Sequence, residues 1–279
     1  MTGEIWLSGI IRNAEQNNPQ EDGDYVKDGL LYCGKCNTPK QTIIRPGNFP
    51  LKVTCLCACK RKRQEGEEAE FKNRQFKEHI HRMRTAAFTE TAMFEYTFAK
   101  DDGSNPKLTN AMRRYVECFD DMRKKGMGLL LYGPCGTGKT FAACQIGNEL
   151  VDKGIAVRMT NFGRLINEIS GLKEGKQRYI DELNRSTLLI IDDFASERNT
   201  DYAQEIVFNV IDGRYRTGLP LIVTTNLSGT ELANPDNIFR QRVYSRILQM
   251  CHPIEVNGPD KRKVRLKDGY NEIKDILGI

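Results

Sequence analysis

From about residue 94 onward, this 279-residue sequence predicts an α/β domain in which a parallel sheet is sandwiched by helices. Three observations predict it. Short apolar runs of strand type alternate with longer segments of helical periodicity. Strands linked through helices run parallel, and the helices cover both faces of the sheet. One run, Gly128 to Tyr132, leads directly into Gly133-Pro134-Cys135-Gly136-Thr137-Gly138-Lys139-Thr140, which fits G-x-x-x-x-G-K-[ST] at every fixed position and opens a helix-like segment. Another, Leu188 to Ile191, ends in two carboxylates, Asp192 and Asp193.

Taken in order, residues 1–29 show little periodicity and include a polar stretch from Gln16 to Asp24, which reads as a weakly ordered tail. Residues 30–63 form a cysteine-rich module. Cys33 and Cys36 have knuckle spacing, and Cys55, Cys57 and Cys59 follow after about twenty residues, so four of these five thiolates can complete a tetrahedral zinc site. A segment with so little apolar content gains its folding free energy from such a metal. The pattern leaves open which of Cys55, Cys57 and Cys59 take part.

Lys60-Arg61-Lys62-Arg63 leads into residues 64–93, a charged stretch of helical composition that reads as a solvated linker. Residues 94–279 are then assigned to the α/β domain. Leu108, Met112, Tyr115, Val116, Phe119 and Met122 form an apolar stripe at helical spacing. Strands are expected at 128–132, 155–160, 187–191, 219–225 and 252–256, with helices at 140–153, 161–170, 200–216 and 237–250.

The glycine-rich loop carries the chemistry. Its glycines allow backbone N–H groups to turn inward around a triphosphate, and the helix N-terminus behind it adds partial positive charge. Lys139 is expected to reach the β- and γ-phosphates of ATP, and the Thr140 hydroxyl to ligate Mg²⁺. Asp192 fits a second Mg²⁺ contact, Asp193 a group that polarises the attacking water, and Asn226, closing the strand Leu221 to Thr225, a contact to the γ-phosphate or that water.

These motifs together resemble the AAA+ ATPases over about residues 94–265, and within them the helicase loaders of the DnaC and DnaI type, with IstB-type transposition helpers as close relatives. The resemblance implies that Arg246 in Arg242-Val243-Tyr244-Ser245-Arg246 is an arginine finger reaching a neighbouring subunit's ATP, with Arg242 beside it. It places a sensor-2 arginine at about Arg262, a basic stretch whose register is loose. About 23 residues follow Val256, fewer than a full C-terminal lid needs. Asp193 stands where many AAA+ proteins have Glu, so slow basal hydrolysis, stimulated by assembly or single-stranded DNA, is expected.

The implied function is an ATP-dependent loader that binds a hexameric DnaB-type replicative helicase through the zinc module. It would contact single-stranded DNA through an ATP-dependent ring or spiral of its own copies, with Lys173, Lys176, Arg178 and Tyr179 as candidate contacts. The alternative is an IstB-like transposition helper acting on duplex DNA. A small-molecule kinase would have no use for Asn226 or the Arg242–Arg246 helix. With net charge +5 and pI about 8.6, the chain permits nucleic-acid contact without demanding it. No apolar run of membrane-spanning length occurs, and a cytoplasmic location is expected.

Overall fold

The computed structural model describes residues 20–46, 50–197, 200–263, 273, 274 and 276–278. They form two compact units, one extending to Glu78 and one beginning at His79.

The first unit holds two antiparallel hairpins, β1 (Tyr25–Lys27) with β2 (Leu30–Tyr32) and β3 (Gln41–Ile44) with β4 (Leu51–Thr54). Asp28 and Gly29 have φ of 50° and 76°, the left-handed pair that a two-residue hairpin turn requires. Asp24 ties the hairpins to the rest of the unit. Its Oδ2 accepts from the Glu21 N–H at 2.8 Å and from Lys40 Nζ at 2.5 Å, and its Oδ1 accepts from the Gly34 N–H at 3.1 Å. The Glu21 N–H and the buried Lys40 ammonium hold the Asp24 carboxyl down to about 2. The predicted tail therefore ends earlier than residue 29. Residues 1–19 of it lie outside the described residues, whereas Glu21 to Gly29 belong to the module, because a polar segment can be ordered by ion pairs that no apolar periodicity announces.

Helix α1 (Ala58–Ala87) begins inside the cysteine cluster and takes in the basic run Lys60 to Arg63, so the linker helix starts before residue 64. Only Ile80 and Ala87 are buried along it, as its charged composition predicts.

In the second unit, two 3-10 turns (Thr91–Glu95 and Phe98–Lys100) precede α2 (Pro106–Glu117) and α3 (Phe119–Lys124). Asn105 caps α2, accepting from the Leu108 N–H at 3.1 Å, and Pro106 opens the helix where its missing N–H costs nothing. The predicted single stripe is thus split at Cys118, although Met112, Tyr115, Val116 and Phe119 are all buried in one core.

The remaining elements alternate as expected: β5 (Gly128–Tyr132), α4 (Lys139–Asp152), β6 (Val157–Asn161), α5 (Phe162–Gly171), α6 (Lys176–Asn184), β7 (Leu188–Phe194), α7 (Asp201–Thr217), β8 (Leu221–Thr225), α8 (Gly229–Ala233), α9 (Ile238–Met250) and β9 (Cys251–Glu255). The strands pair in parallel, in the order β6-β7-β8-β5-β9. Alternate residues of the central strands serve opposite faces. Leu129, Leu131, Leu188 and Ile190 join the core shared with α2 and α4, and Leu130, Leu189 and Ile191 join the core shared with α5, α6, α7 and α9.

Helix α6 occupies a stretch for which neither helix nor strand is expected from the sequence. Tyr179 is therefore partly buried, its phenol donating to Glu168 Oε2, while Lys176 lies over the Tyr202 ring at 5.2 Å. Arg214 on α7 is wholly buried and donates to the carbonyls of Asn184 (2.9 Å), Ser186 (2.8 Å), Thr187 (3.2 Å) and Pro220 (3.2 Å from Nε). One guanidinium thereby joins the end of α6 to the starts of β7 and β8. No helix among the described residues is long and apolar enough to cross a membrane.

Candidate functional site

Three parallel strands deliver the site to one sheet edge. Because β8 lies between β5 and β7, its polar end sits between the phosphate loop and the carboxylate pair. The loop after β5 is wound by glycines: Gly136 and Gly138 have φ of 77° and 98°, and Gly138 caps α4 in the left-handed region that disfavours a Cβ. Thr137 Oγ1 donates to the Pro134 carbonyl at 3.0 Å and closes the turn.

Lys139 is buried. Its Nζ donates to the Gly133 carbonyl (2.8 Å), the Pro134 carbonyl (2.7 Å) and Asn226 Oδ1 (2.8 Å). Burial holds its ammonium below the ordinary lysine value; the charges of Cys135, Asp193 and Asp192 oppose that shift and Arg262 adds to it. Asn226 in turn donates through Nδ2 to Asp193 Oδ1 at 2.9 Å. The amide thus links the loop lysine to the second carboxylate, a bridge built from residues far apart in sequence.

Asp192 is fixed differently. Its Oδ1 accepts from Thr140 Oγ1 at 2.9 Å and from Thr224 Oγ1 at 2.6 Å, and the Thr224 oxygen itself accepts the Asp193 N–H at 2.9 Å. Burial raises the Asp192 carboxyl above its ordinary value, and the two hydroxyl donors partly offset that. The hydroxyl of Thr140 and the carboxylate of Asp192 are oxygen donors in contact at the mouth of the loop, a pair that suits a hard cation retaining several waters. Thr224 was not singled out in the sequence. Its only signal there is a hydroxyl at the end of an apolar strand.

The chain beyond β9 lies across the same loop. Val256 N–H donates to the Tyr132 carbonyl at 2.8 Å and Lys261 N–H to the Gly136 carbonyl at 3.0 Å. A Cβ on Gly136 would lie 1.9 Å from Asp260 Oδ1, so only glycine admits this approach. Lys261 Nζ reaches both carboxylate oxygens of Asp102 at 3.0 Å. Arg262 comes near enough for its charge to act on Lys139.

Arg246 on α9 stands apart from these groups. Its Nη2 meets Asp212 Oδ1 at 2.7 Å, and its guanidinium lies over the Phe208 ring at 4.7 Å and near Tyr215 at 5.9 Å. Arg242 covers the same Phe208 ring at 5.2 Å. Both arginines rest on α7, and Asp212 is shared with Arg216 at 2.5 Å.

In the first unit, the sulfur atoms of Cys33, Cys36, Cys57 and Cys59 all lie within 4.8 Å of one another, with Cys33 to Cys59 at 3.6 Å and Cys57 to Cys59 at 3.4 Å. Four zinc–sulfur bonds of about 2.3 Å in a tetrahedron put sulfurs roughly 3.8 Å apart, so the donor set and its size fit that ion. Cys55 faces elsewhere, 3.5 Å from the Pro39 carbonyl. Cys55 lies just past the end of β4 and Cys57 just before α1, so the irregular link between the two elements, rather than a strand pleat, separates their side chains.

A glycine-wound phosphate loop and an acidic strand end on a five-stranded parallel sheet of this order define a P-loop NTPase of the AAA+ kind. The chain belongs to the family of the IstB-like ATP binding protein, whose model matches residues 65–268. It is 29% identical over 185 residues to an insertion-sequence ATP-binding protein of Mycobacterium tuberculosis, covering 65% of this chain and 72% of that one. It is 25% identical over 180 residues to the replicative helicase loader DnaI of Bacillus subtilis (60% and 58%) and 26% identical over 164 residues to the replicative helicase loader DnaC of Escherichia coli (57% and 63%). The matches thus span less than two thirds of either loader. The crystal structure of DnaI superposes with a TM-score of 0.52 at 22% identity, covering 61% of this chain and 96% of that one, a likeness of fold.

Proposed function

We propose that this chain is an ATP-dependent loader that binds a hexameric replicative helicase and delivers it onto single-stranded DNA, hydrolysing ATP as it does so. The observation that carries the proposal is the pairing of a complete phosphate-loop site with a separate four-thiolate unit ahead of it, the arrangement of the DnaI-type loaders that the sequence resembles. The family membership and the two loader relatives support it.

At the nucleotide site the proposed roles follow from the contacts. Gly133 to Thr140 cradle the phosphates, and Lys139 exchanges its carbonyl partners for phosphate oxygens. Thr140 and Asp192 would hold Mg²⁺, which when bound neutralises phosphate charge. Asp193 orients the attacking water and accepts its proton, and Asn226, already bonded to both Lys139 and Asp193, aligns that water with the γ-phosphate. Arg262 adds a cation at the loop. Arg246, released from Asp212, supplies the trans charge when a second copy docks, which ties turnover to assembly into a ring or spiral. Cys33, Cys36, Cys57 and Cys59 would hold Zn²⁺ and keep the helicase-binding unit folded.

A second function, an IstB-like transposition helper on duplex DNA, is favoured by one observation: the insertion-sequence relative is matched over a larger share of its length than either loader. Light scattering on size-exclusion fractions of the full chain mixed with a DnaB-type helicase and ATP separates the two. A complex that a Cys36→Ser, Cys59→Ser double variant fails to form supports the loader. Absence of any complex, with ATP-dependent assembly on duplex DNA instead, overturns it in favour of the transposition helper.

A further inference from the structure

The segment that leaves β7 is held in a conformation that its residues do not choose. Asp193 and Ala195 have φ of 51° and 70°, the left-handed region, and neither is glycine. Such backbone persists only where its surroundings over-determine it, and it concentrates at sites where the geometry is used. From the β8 side, Thr224 takes the Asp193 N–H, Asn226 donates to the Asp193 carboxylate, and Thr225 Oγ1 donates to the Phe194 carbonyl at 2.8 Å. Within the turn, the Asp193 carbonyl accepts from Ser196 Oγ at 2.7 Å and from the Ser196 N–H at 3.3 Å.

One backbone donor remains. The pairing of β7 with β8 ends at Phe194 opposite Thr225, so the Ala195 N–H has no strand partner; it donates instead to Glu197 Oε2 at 3.0 Å. Glu197 shares a small pocket with Phe194, Ala195, Phe239, Arg240 and Tyr244, the last three from α9. Burial raises its carboxyl above the ordinary value; its own N–H and the Ala195 N–H pull it down, Arg240 adds to that, and Asp193 pushes it up. Placed there at a desolvation cost, the carboxylate accepts the Ala195 N–H and so fixes the second left-handed residue of the turn.

We infer that Glu197 is a positioning residue for ATP hydrolysis, which by holding the Ala195 N–H locks the turn that aims the Asp193 carboxylate. The inference rests on the proposed role of Asp193. It also places the end of the acidic strand in contact with α9, the helix that carries Arg242 and Arg246.

The test is steady-state ATP turnover by the full chain for Glu197→Ala, Glu197→Gln and Asp193→Asn, with fluorescent-nucleotide affinity and thermal midpoints measured in parallel. Glu197→Ala is expected to lower kcat by about 10- to 100-fold, the cost of a misaimed group, with KM and nucleotide affinity within about twofold. Glu197→Gln, whose amide oxygen still accepts the Ala195 N–H, restores most of the rate. Unchanged kcat in Glu197→Ala, while Asp193→Asn is inactive, overturns the positioning role and leaves Asp193 in place. Equal losses in both Glu197 variants with a lowered thermal midpoint also overturn it, as a stability effect. Full activity in Asp193→Asn removes the role of Asp193 itself, and the inference with it.

Discussion

Replacing Thr224 with Val tests whether one hydroxyl organises both carboxylates. Thr224 is 1% exposed, donates to Asp192 at 2.6 Å and accepts the Asp193 N–H at 2.9 Å. Valine keeps the volume and the strand preference, so no cavity forms and the change is confined to hydrogen bonding. A hydrogen bond to a charged group contributes about 1.5–3 kcal/mol, and the orphaned Asp193 N–H adds roughly 1 kcal/mol, so the variant should lose about 2–4 kcal/mol at neutral pH. In an ATPase unit of this size that lowers the melting midpoint by about 4–16 °C. The pH dependence has a definite sign. Burial raises the folded carboxyl of Asp192, so the native state binds the proton more tightly than the unfolded chain. The stability this contributes is fully present below the ordinary aspartate value and is lost as pH rises through the raised folded value. Removing the Thr224 donor raises that value further and deepens the loss on the neutral side. Metal-free denaturation of wild type, Thr224→Val and Thr224→Ser at pH 7 and near pH 4.5 reads the effect, the serine variant keeping the hydroxyl. Equal stability losses for valine and serine, or a valine loss independent of pH, would refute the argument.

Three further outcomes are expected. Lys139→Ala should abolish binding of a fluorescent ATP analogue, since it removes the phosphate-facing cation; retained affinity would count against the site. Metal analysis of the purified chain should find one zinc per molecule, kept in Cys55→Ser and lost in Cys33→Ser or Cys57→Ser, with chelation unfolding the first unit by circular dichroism. Arg214→Met should cost at least about 3 kcal/mol in urea unfolding, because it removes the donor to two buried and two half-buried carbonyls; a change under about 1 kcal/mol would show that water satisfies them.

Much of the site is legible locally. A phosphate loop needs consecutive residues, so Gly133 to Thr140 announce it. An apolar run that stops at two carboxylates likewise marks β7, and its position in the alternation predicts the parallel sheet. The period-3.6 and period-2 patterns fix the element types for the same reason, each being a contest among near neighbours. Local pattern failed where burial or charge pairing outweighed it. Gln20 to Gly29 looked like a tail because Asp24 finds its partner Lys40 only in the folded module, and α6 went unassigned because Ile180 and Leu183 are its only buried apolar residues among charges.

By itself the sequence determined the chemistry available: a triphosphate cradle, a carboxylate pair, a set of five thiols and an arginine-bearing helix, each encoded in neighbouring residues. Only the tertiary structure decided which groups meet. Placing β8 between β5 and β7 brings Asn226 between Lys139 and Asp193, and Thr224 between the two aspartates. The irregular link between β4 and α1 removes Cys55 from the thiolate cluster. Packing of α9 on α7 holds Arg246 against Asp212. These contacts join residues separated by tens of positions, and their energies depend on burial and distance, quantities that exist only once the chain has folded.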